Sequence, residues 1–125
     1  MSQSATVNYV VRPYLRGDEE EIVQLLQLVF DEWPHFDLSC APIDHWRWKF
    51  EDNPLKKSII SLGASDDKII GCTHTIPLMI KIGDSIFLCG NGYDLAVHPD
   101  FRRMGVAKKM HELRKELRTK AGIKF

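Results

Sequence analysis

The spacing of apolar positions changes several times along the 125-residue chain. An apolar, β-branched run over residues 6–14 predicts a strand. From Glu19 onward the apolar residues recur at helical spacing, so we expect a helix that has Asp18 as its N-cap and ends at Pro34. The apolar face of this helix consists of Ile22, Leu25, Leu26, Val29 and Phe30.

A second, shorter helix is predicted after Pro42, because proline is well suited to the first turn of a helix. The Asn-Pro pair at residues 53–54 ends it. This helix is strongly aromatic, since it carries Trp46, Trp48 and Phe50.

Beyond residue 58 the pattern becomes that of strands, and short polar turns separate three of them. We expect strands at residues 58–64, 69–81 and 85–97, joined through residues 66–68 and 82–84 as an antiparallel meander. Pro77 interrupts the middle strand. Because proline has no backbone N–H, it predicts a bulge or an edge-facing position there.

The last predicted helix covers residues 105–121 and is capped by Gly122, after which residues 123–125 begin another strand. Its apolar stripe consists of Val106, Met110, Leu113, Leu117 and Ala121. The element order is therefore β-α-α-β-β-β-α-β, with only the start of the last strand. This order indicates an α/β (α+β) fold with a mixed sheet, and the length allows one domain over residues 1–125.

Composition places the chain among folded proteins, with 44% hydrophobic and 27% charged residues. The three cysteines, Cys40, Cys72 and Cys89, have no partner at metal-ligand spacing, so we expect reduced thiols in or near the core and no metal site. No apolar run approaches the roughly 20 residues that would span a bilayer. We therefore expect a cytoplasmic protein that does not bind a membrane.

The net charge of zero hides an uneven distribution. Residues 102–125 carry nine Lys or Arg and two Glu, a balance of +7, and the rest of the chain carries −7. A basic segment of this kind suits a nucleic-acid surface, a solvated helix face or a site for a small polyanion. Charge alone leaves these three interpretations open.

The junction between the fourth strand and the last helix is the most informative part of the sequence. A helix N-terminus presents unpaired N–H groups and a partial positive charge, and it binds phosphate where the backbone is accessible. Gly105 and Ala107 allow that approach, while Arg102 and Arg103 add donors suited to phosphate. The simpler interpretation is a glycine that eases a turn beside two solvated arginines. The segment lacks the glycine pattern of a Rossmann or Walker loop.

Arg102-x-x-Gly105-x-Ala107, preceded by the run Leu95-Ala96-Val97-His98-Pro99, resembles the signature of the GNAT superfamily of N-acetyltransferases. The resemblance implies acetyl-CoA as cosubstrate and no metal. It implies that the backbone of Leu95, Ala96 and Val97 binds the pantetheine arm of CoA. It also implies that the pyrophosphate is wrapped by Arg102, Arg103, Met104, Gly105, Val106, Ala107 and Lys108.

The family resemblance implies transfer of acetyl to a primary amine of an unidentified acceptor, without nucleic acid as a partner. A complete GNAT domain continues through further strands and a helix. We therefore expect this domain to be incomplete at its C-terminus, as a fragment or as a domain that pairs through its open sheet edge, for instance as a homodimer. The alternative is a non-catalytic CoA-binding or regulatory module completed by a partner chain.

The catalytic residues are left unassigned. Asn91 occupies the position where many members of the family have a Glu that acts as the general base. The Tyr that commonly acts as the general acid would lie beyond Phe125. His74 and Asp94 lie near the expected acceptor site, but we interpret both as satisfied structural groups. Small side chains such as that of Cys89 are more often core residues than nucleophiles, and His98 is expected to shape its loop. The tryptophans of the second helix are interpreted as core residues, with an acceptor pocket as the alternative.

Overall fold

The computed structural model describes residues 8–34, 39–55 and 58–125 of the chain. Four antiparallel strands form one sheet in the order β1-β2-β3-β4. They are β1 (Val10–Pro13), β2 (Ile59–Ser65), β3 (Lys68–Ile82) and β4 (Ser85–Val97). This order confirms the predicted meander. Of the first predicted strand, Thr6 and Val7 lie outside the described residues.

Three helices flank the sheet: α1 (Glu19–Val29), α2 (Pro42–Phe50) and α3 (Val106–Lys120). Pro42 occupies the first turn of α2, as predicted. Gly122 ends α3 with a positive φ of 78°, and two hydrogen bonds close the helix, from the N–H of Gly122 to Thr119 and from that of Ile123 to Arg118. This pattern of bonds is a Schellman motif, which satisfies carbonyl groups that a helix end otherwise leaves unpaired.

The two faces of the sheet carry different helices because strand side chains alternate in direction. On one face, α1 and α2 bury the main core, which includes Ile22, Leu26, Trp46 and Leu62. On the other face α3 packs Val106 and Met110 closely against the glycines of β2 and β3. A β-carbon at Gly71 would lie 3.0 Å from the Val106 side chain, so this close helix packing depends on glycine.

Residues 123–125 run beside the first half of β4 in the same direction. The N–H of Lys124 donates to the carbonyl of Leu88, and the N–H of Gly90 donates to that of Phe125, both at 2.9 Å. The predicted strand start is therefore present as two hydrogen bonds rather than as a regular strand. Beyond Gly90 the outer edge of β4 has no neighbouring strand among the described residues.

Asp18 is the N-cap residue of the first helix, as predicted, but its side chain does not cap the helix, and the predicted end of the helix was wrong. The Asp18 side chain makes no capping bond, because it accepts hydrogen bonds from Arg12, at 2.8 and 3.1 Å, and from the N–H of Leu15. A paired guanidinium and carboxylate make stronger bonds than a carboxylate and a helix N–H. The helix also ends at Val29, before Pro34, and Asp31 turns the chain with a φ of 50°.

Of the two alternatives predicted for Pro77, a bulge or an edge-facing position, the second is confirmed. Pro77 pairs with Gly90 without a register shift, and the bulge lies instead near the other end of the β3–β4 ladder. The edge-facing position is confirmed, since the pairing of β3 with β2 stops at Thr75, opposite Ile59. Past that point β4 is the only strand beside β3 within the described part of the chain, so the missing N–H of proline leaves no gap in a second ladder there.

The cysteine prediction holds for only part of the set. Cys72 is buried in the core and Cys89 is half-buried, but Cys40 is exposed. Cys40 lies in the connection before α2, where the backbone is at the surface rather than packed on the sheet.

Candidate functional site

The connection from β4 to α3 is held in place at its beginning. The N–H of His98 donates to the carbonyl of Ile70 on β3 at 2.7 Å. Its ring nitrogen Nδ1 accepts the N–H of Asp100 at 3.1 Å, which starts a single 3₁₀ turn at Pro99–Phe101. This confirms that His98 shapes the loop.

Residues 102–108, which we call the 102–108 segment, carry the chain into α3 through two left-handed backbone conformations. Arg103 has a φ of 64° and Gly105, the N-cap residue, a φ of 80°. The first helical hydrogen bond runs from the N–H of Lys109 to the carbonyl of Gly105. No group in the described parts of the chain accepts a hydrogen bond from the backbone N–H groups of residues 103–108.

The surroundings of these N–H groups are basic and accessible. Arg102, Arg103 and Lys108 are exposed, and the first turn of α3 contains no acidic residue. Just below them, Val106 is buried against the sheet. The start of the helix is thus anchored in the core through Val106, while residues 102–105 and 108 are exposed.

Tyr9 supports the 102–108 segment from the side of β1. Its hydroxyl donates to the carbonyl of Met104 at 2.7 Å, and the Lys109 ammonium lies 5.1 Å from the centre of its ring. The nearest approach to a β-carbon placed on Gly105 is this hydroxyl, at 3.7 Å. The space directly around Gly105 is therefore open.

The triplet Leu95–Val97, which we call the 95–97 triplet, lies at the end of β4, just before the 102–108 segment. Ala96 is buried and pairs with Cys72, Val97 pairs with Gly71, and Leu95 is 42% exposed. The Arg102 side chain donates from Nε to the Val97 carbonyl at 3.3 Å. This bond links the triplet to the basic segment and shows that the Val97 carbonyl is accessible from the open edge of the sheet.

A β-bulge stands directly before Leu95. Cys72 pairs with Ala96 and His74 with Tyr93, so two residues of β4, Asp94 and Leu95, face one residue of β3. Asp94 has a φ of 48°, a conformation that a bulge residue adopts when the strand bends. Its carboxylate is paired with the Lys49 ammonium of α2 at 2.8 Å.

His74 is completely buried behind this bulge. Its Nε2 is 3.1 Å from the indole nitrogen of Trp46, and its Nδ1 is 3.2 Å from the Asp94 carbonyl. Phe50 stacks on the ring with centroids 4.0 Å apart. Burial lowers the pKa of His74 to about 4, since the charged form would lose its hydration. These contacts confirm that His74 is a satisfied buried group.

A groove of about 460 Å³ lies between the C-terminal part of α2 and the strands β3 and β4, and we call it the Trp48 groove. It is lined by Trp48, Lys49, Asp52, Asn53, Pro54, Ile76 and Tyr93. Tyr93 belongs to β4 and stands two residues before Leu95. The groove therefore adjoins the 95–97 triplet.

The family model described as an acetyltransferase (GNAT) domain matches residues 10–123 of the chain. This chain belongs to the GNAT acetyltransferase family. Membership makes acyl transfer the general chemistry of the domain. The strand and helix order observed here is that of the same fold.

Solved structures share this GNAT fold at low identity. An acetyltransferase from Vibrio fischeri is 19% identical, with a TM-score of 0.68, over 92% of this chain and 90% of that one. An aminoglycoside acetyltransferase from an uncultured soil metagenomic sample, in complex with sisomicin, is 18% identical, with a TM-score of 0.67, over 93% and 73%. Glucosamine-6-phosphate N-acetyltransferase from Arabidopsis thaliana is 15% identical, with a TM-score of 0.67, over 93% and 78%. A search of curated proteins gave no match.

One of the two aromatic predictions for this GNAT domain was wrong. Trp46 is fully buried, as predicted, but Trp48 is 66% exposed and lines the groove. Two residues along a helix correspond to a rotation of about 200°, so only one of the two can face the core. The spacing in the sequence already carried this information.

The contacts of Asn91 and Cys89 do not favour either residue as a catalytic base or nucleophile. Asn91 is exposed and donates from Nδ2 to the Tyr93 hydroxyl at 2.8 Å, but an amide cannot take up a proton at neutral pH. The Cys89 sulfur lies 3.8 Å from the Gly90 carbonyl oxygen. Among the described residues, no histidine or carboxylate forms a hydrogen bond with this thiol. The ion pair of Lys49 with Asp94 was not predicted, because it joins α2 to β4 and nothing local in the sequence announces it.

Within residues 8–34, 39–55 and 58–125, no three His, Cys, Asp or Glu side chains are grouped as metal ligands would be. Of the helices described, none has the length and apolar character needed to cross a membrane.

Proposed function

We propose that this GNAT domain is an acetyl-CoA-dependent N-acetyltransferase in which the 102–108 segment binds the CoA pyrophosphate. The observation that carries the proposal is the run of backbone N–H groups at residues 103–108 that no described protein group satisfies. Six adjacent free donors at a helix start suit a doubly charged, oxygen-rich ligand. An ordinary solvated helix start would leave only the first four N–H groups unpaired.

The side chains around the segment support the same ligand. Arg102 and Arg103 have guanidinium groups, which form paired bonds to phosphate oxygens, and both are exposed beside the free N–H groups. The helix dipole of α3 adds a partial positive charge at the same end. The two guanidinium groups and the helix dipole together provide positive charge that balances the negative charge of a pyrophosphate.

The pantetheine arm is proposed to lie along the open edge of β4 beside the 95–97 triplet. The backbone groups on that side face no strand in the described structure, and the accessible Val97 carbonyl is one of them. An amide-containing arm can add to such an edge as an extra strand does. This path leads from the 102–108 segment to the β4 bulge and the Trp48 groove.

The acceptor amine is proposed to enter through the Trp48 groove. An exposed indole face and the Asp52 carboxylate both attract a cationic amine, whereas the Lys49 ammonium is already paired with Asp94. The soil aminoglycoside acetyltransferase was solved with sisomicin, and this structural likeness makes polyamine-like and aminosugar compounds reasonable first acceptors to screen. We propose no narrower class of acceptor than amines.

The alternative is a CoA-binding module without turnover, and the Asn91 side chain is the observation that favours it. A base is needed to remove a proton from the ammonium form of the acceptor. Asn91 cannot supply that base, and His74 is buried with both ring nitrogens engaged. Acetyl-CoA turnover in a screen of amines separates the two functions, since the module would bind CoA but release no free thiol.

The binding site itself is tested by a matched pair of glycine variants. Gly105 and Gly122 lie at opposite ends of α3, have φ values of 80° and 78°, and leave open space where a side chain would begin. Gly105→Glu and Gly122→Glu therefore carry the same backbone strain, but only the first places a carboxylate at the proposed phosphates.

We expect CoA at about one hundred times its Kd to raise the melting temperature of the natural protein by on the order of 10 °C. Gly122→Glu should keep this shift relative to its own baseline, and Gly105→Glu should lose it. An equal shift in both variants, or none in the natural protein, would remove the basis for the proposed site.

A further inference from the structure

The β4 bulge, formed by Asp94 and Leu95, is held by contacts that the CoA-binding residues do not explain. The Asp94 carbonyl accepts a hydrogen bond from His74 at 3.2 Å, and the Cys72 thiol lies 3.6 Å from the same oxygen. Both donors are fully buried. The Asp94 carboxylate is fixed separately by Lys49. Every polar group of Asp94 beyond its N–H is therefore engaged by the protein.

The hydrogen bonds of His74 allow only one neutral tautomer. An indole nitrogen can only donate a hydrogen bond, so the Trp46 contact at 3.1 Å requires that His74 Nε2 is an acceptor without a proton. The ring proton is then on Nδ1, which donates to the Asp94 carbonyl. Burial lowers the pKa of His74, so the ring stays neutral at physiological pH.

This arrangement sets the direction of the next peptide N–H. The carbonyl of Asp94 and the N–H of Leu95 belong to one peptide group, and in a trans peptide they point in nearly opposite directions. Because the carbonyl is directed at His74 and Cys72, the Leu95 N–H is directed away from β3. Leu95 has no register partner on β3 and is partly exposed. Its N–H is the first donor of the 95–97 triplet.

We propose that His74, fixed in the Nδ1–H tautomer by Trp46, is a positioning residue that orients the Asp94–Leu95 peptide and thereby presents the Leu95 N–H to the pantetheine arm of CoA. This inference rests on the proposed function, because it assumes that CoA lies along β4. It gives the buried histidine a role in ligand binding that it performs through the backbone of β4, without touching the ligand.

Two amide substitutions separate the two ring nitrogens. In His74→Asn the side-chain nitrogen falls near the place of Nδ1 and can still donate to the Asp94 carbonyl. In His74→Gln the side-chain oxygen reaches towards the place of Nε2 and can still accept from Trp46, but the donor to Asp94 is lost. His74→Asn removes one methylene more from the core than His74→Gln, so a purely structural role would make His74→Asn the weaker CoA binder, the reverse of the order that the positioning role predicts.

Two ligands separate the arm from the phosphates. Calorimetric titration with CoA reports on the pantetheine arm and the pyrophosphate together, whereas 3′-phospho-ADP carries the same pyrophosphate without the arm. We expect His74→Gln to weaken CoA binding about tenfold, the effect of losing one well-placed hydrogen bond, and to leave the 3′-phospho-ADP affinity unchanged. His74→Asn should bind both ligands within about twofold of the natural protein.

A second histidine of the chain, His45, provides the control variant for this experiment. His45→Gln makes the same amide substitution at a histidine of α2 whose ring contacts Trp33 and Trp48 and makes no hydrogen bond to Asp94, and it should leave CoA binding unchanged. Equal losses in the two His74 variants, or a parallel loss for CoA and 3′-phospho-ADP, would overturn the positioning role while leaving the proposed CoA site intact. Failure of the natural protein to bind either ligand would instead reject the proposed function, and the inference with it.

A second measurement does not depend on the variants folding or on CoA. The ¹⁵N chemical shifts of the His74 ring in the natural protein distinguish the two neutral tautomers. The proposal requires the proton on Nδ1 at pH 7.5. A proton on Nε2, or a charged ring at that pH, would overturn it.

Cys72→Ala, which removes the weaker second donor, should reduce CoA affinity in the same direction as His74→Gln but by a smaller factor.

Discussion

At the scale of single residues, the site depends on backbone groups that a few side chains hold in position. Tyr9 fixes the Met104 carbonyl, Arg102 reaches the Val97 carbonyl, and His74 reaches that of Asp94. Tyr9 and His74 each bind the carbonyl end of a peptide group whose N–H is left free, whereas the N–H of the Val97–His98 peptide is bound to Ile70. A site built in this way is sensitive to residues that never meet the ligand.

The buried His74 should also make the stability of the fold depend on pH. Its pKa falls from the ordinary 6.5 to about 4 because burial disfavours the charged ring. The unfolded chain therefore binds the proton more tightly, so stability is complete above pH 6.5 and is lost as the pH falls towards 4.

Between pH 7.5 and pH 5 we expect His74 to account for a loss of about 2 kcal/mol in the free energy of unfolding. Urea titrations of the natural protein and of His74→Asn at both pH values measure it as the difference between their pH slopes. Burial also lowers the pKa values of His45 and His111, and those contributions are common to both proteins. Identical slopes would show that His74 does not titrate in this way.

How far residues could be predicted depended on whether their partners were local. Gly105, Ala107 and the arginines before them stand in one short stretch, so their chemistry was visible in the sequence. Trp48 was misassigned although its helical spacing from Trp46 was available. Asp18 occupies the predicted N-cap position, but its carboxylate does not cap the helix because Arg12, from another element, binds it. Such a competition depends on distances that a sequence does not contain.

At the scale of elements, close packing of α3 on the sheet decides where the 102–108 segment lies. A β-carbon on Gly90 would lie 2.7 Å from the Thr75 methyl group, and one on Gly92 would lie 3.2 Å from the Arg114 guanidinium. Both glycines are on β4 and face α3. They differ in whether the neighbouring group can move.

Gly90→Ala should therefore lower the free energy of unfolding by about 1–3 kcal/mol, because the β-branched Thr75 of β3 cannot turn away and the β3–β4 pair must distort. Gly92→Ala is the matched control and should cost less, since the long Arg114 side chain can move into solvent. Urea unfolding of both variants measures the difference. Equal losses would mean that the freedom of the neighbouring side chain to move does not decide the cost at these positions.

The elements themselves followed from periodicity and turn residues, with strand boundaries that agree to within one residue for β2, β3 and β4. The bulge in β4 was not predicted, and the sequence suggested a bulge only at Pro77 on β3, as the alternative to an edge-facing position. A proline is a visible signal, whereas the extra residue at Asp94 arises from the register of two strands and from the contacts that hold it. Register is a property of a pair of strands, so neither strand alone predicts it.

At the scale of the whole molecule, charge separates the proposed ligand site from the rest of the surface. Residues 102–125 carry nine basic and two acidic side chains, and the remainder of the chain carries an excess of seven acidic ones. A polyanion is thus attracted to one region and repelled by the others. This distribution suits a small phosphate-bearing ligand better than an extended nucleic acid, which would also meet the acidic surface.

We accordingly expect CoA binding to weaken as NaCl rises from 50 to 500 mM, since surface charges are screened over shorter distances at higher salt. At 150 mM NaCl, CoA should bind more tightly than a short DNA duplex, as competition measured by fluorescence anisotropy would report. DNA binding tighter than CoA binding at that salt concentration would favour the nucleic-acid interpretation of the basic segment.

Completion of the domain by further chain or by a partner remains a prediction at this scale. Among the described elements, the outer edge of β4 beyond Gly90 carries no strand, and this edge is where the pantetheine arm is proposed to lie. A strand that paired there along its whole length would compete with CoA. We therefore expect any completing strand to diverge from β4 near the 95–97 triplet.

The central claim is that free backbone N–H groups at the start of α3 bind the pyrophosphate of CoA. Its most direct test is a titration of ¹⁵N-labelled protein with CoA, followed through the amide resonances of the backbone. The account predicts the largest shifts at residues 103–108, downfield as the N–H groups gain phosphate acceptors, with smaller shifts at the 95–97 triplet. Saturable binding that leaves the amides of residues 103–108 unchanged would contradict it.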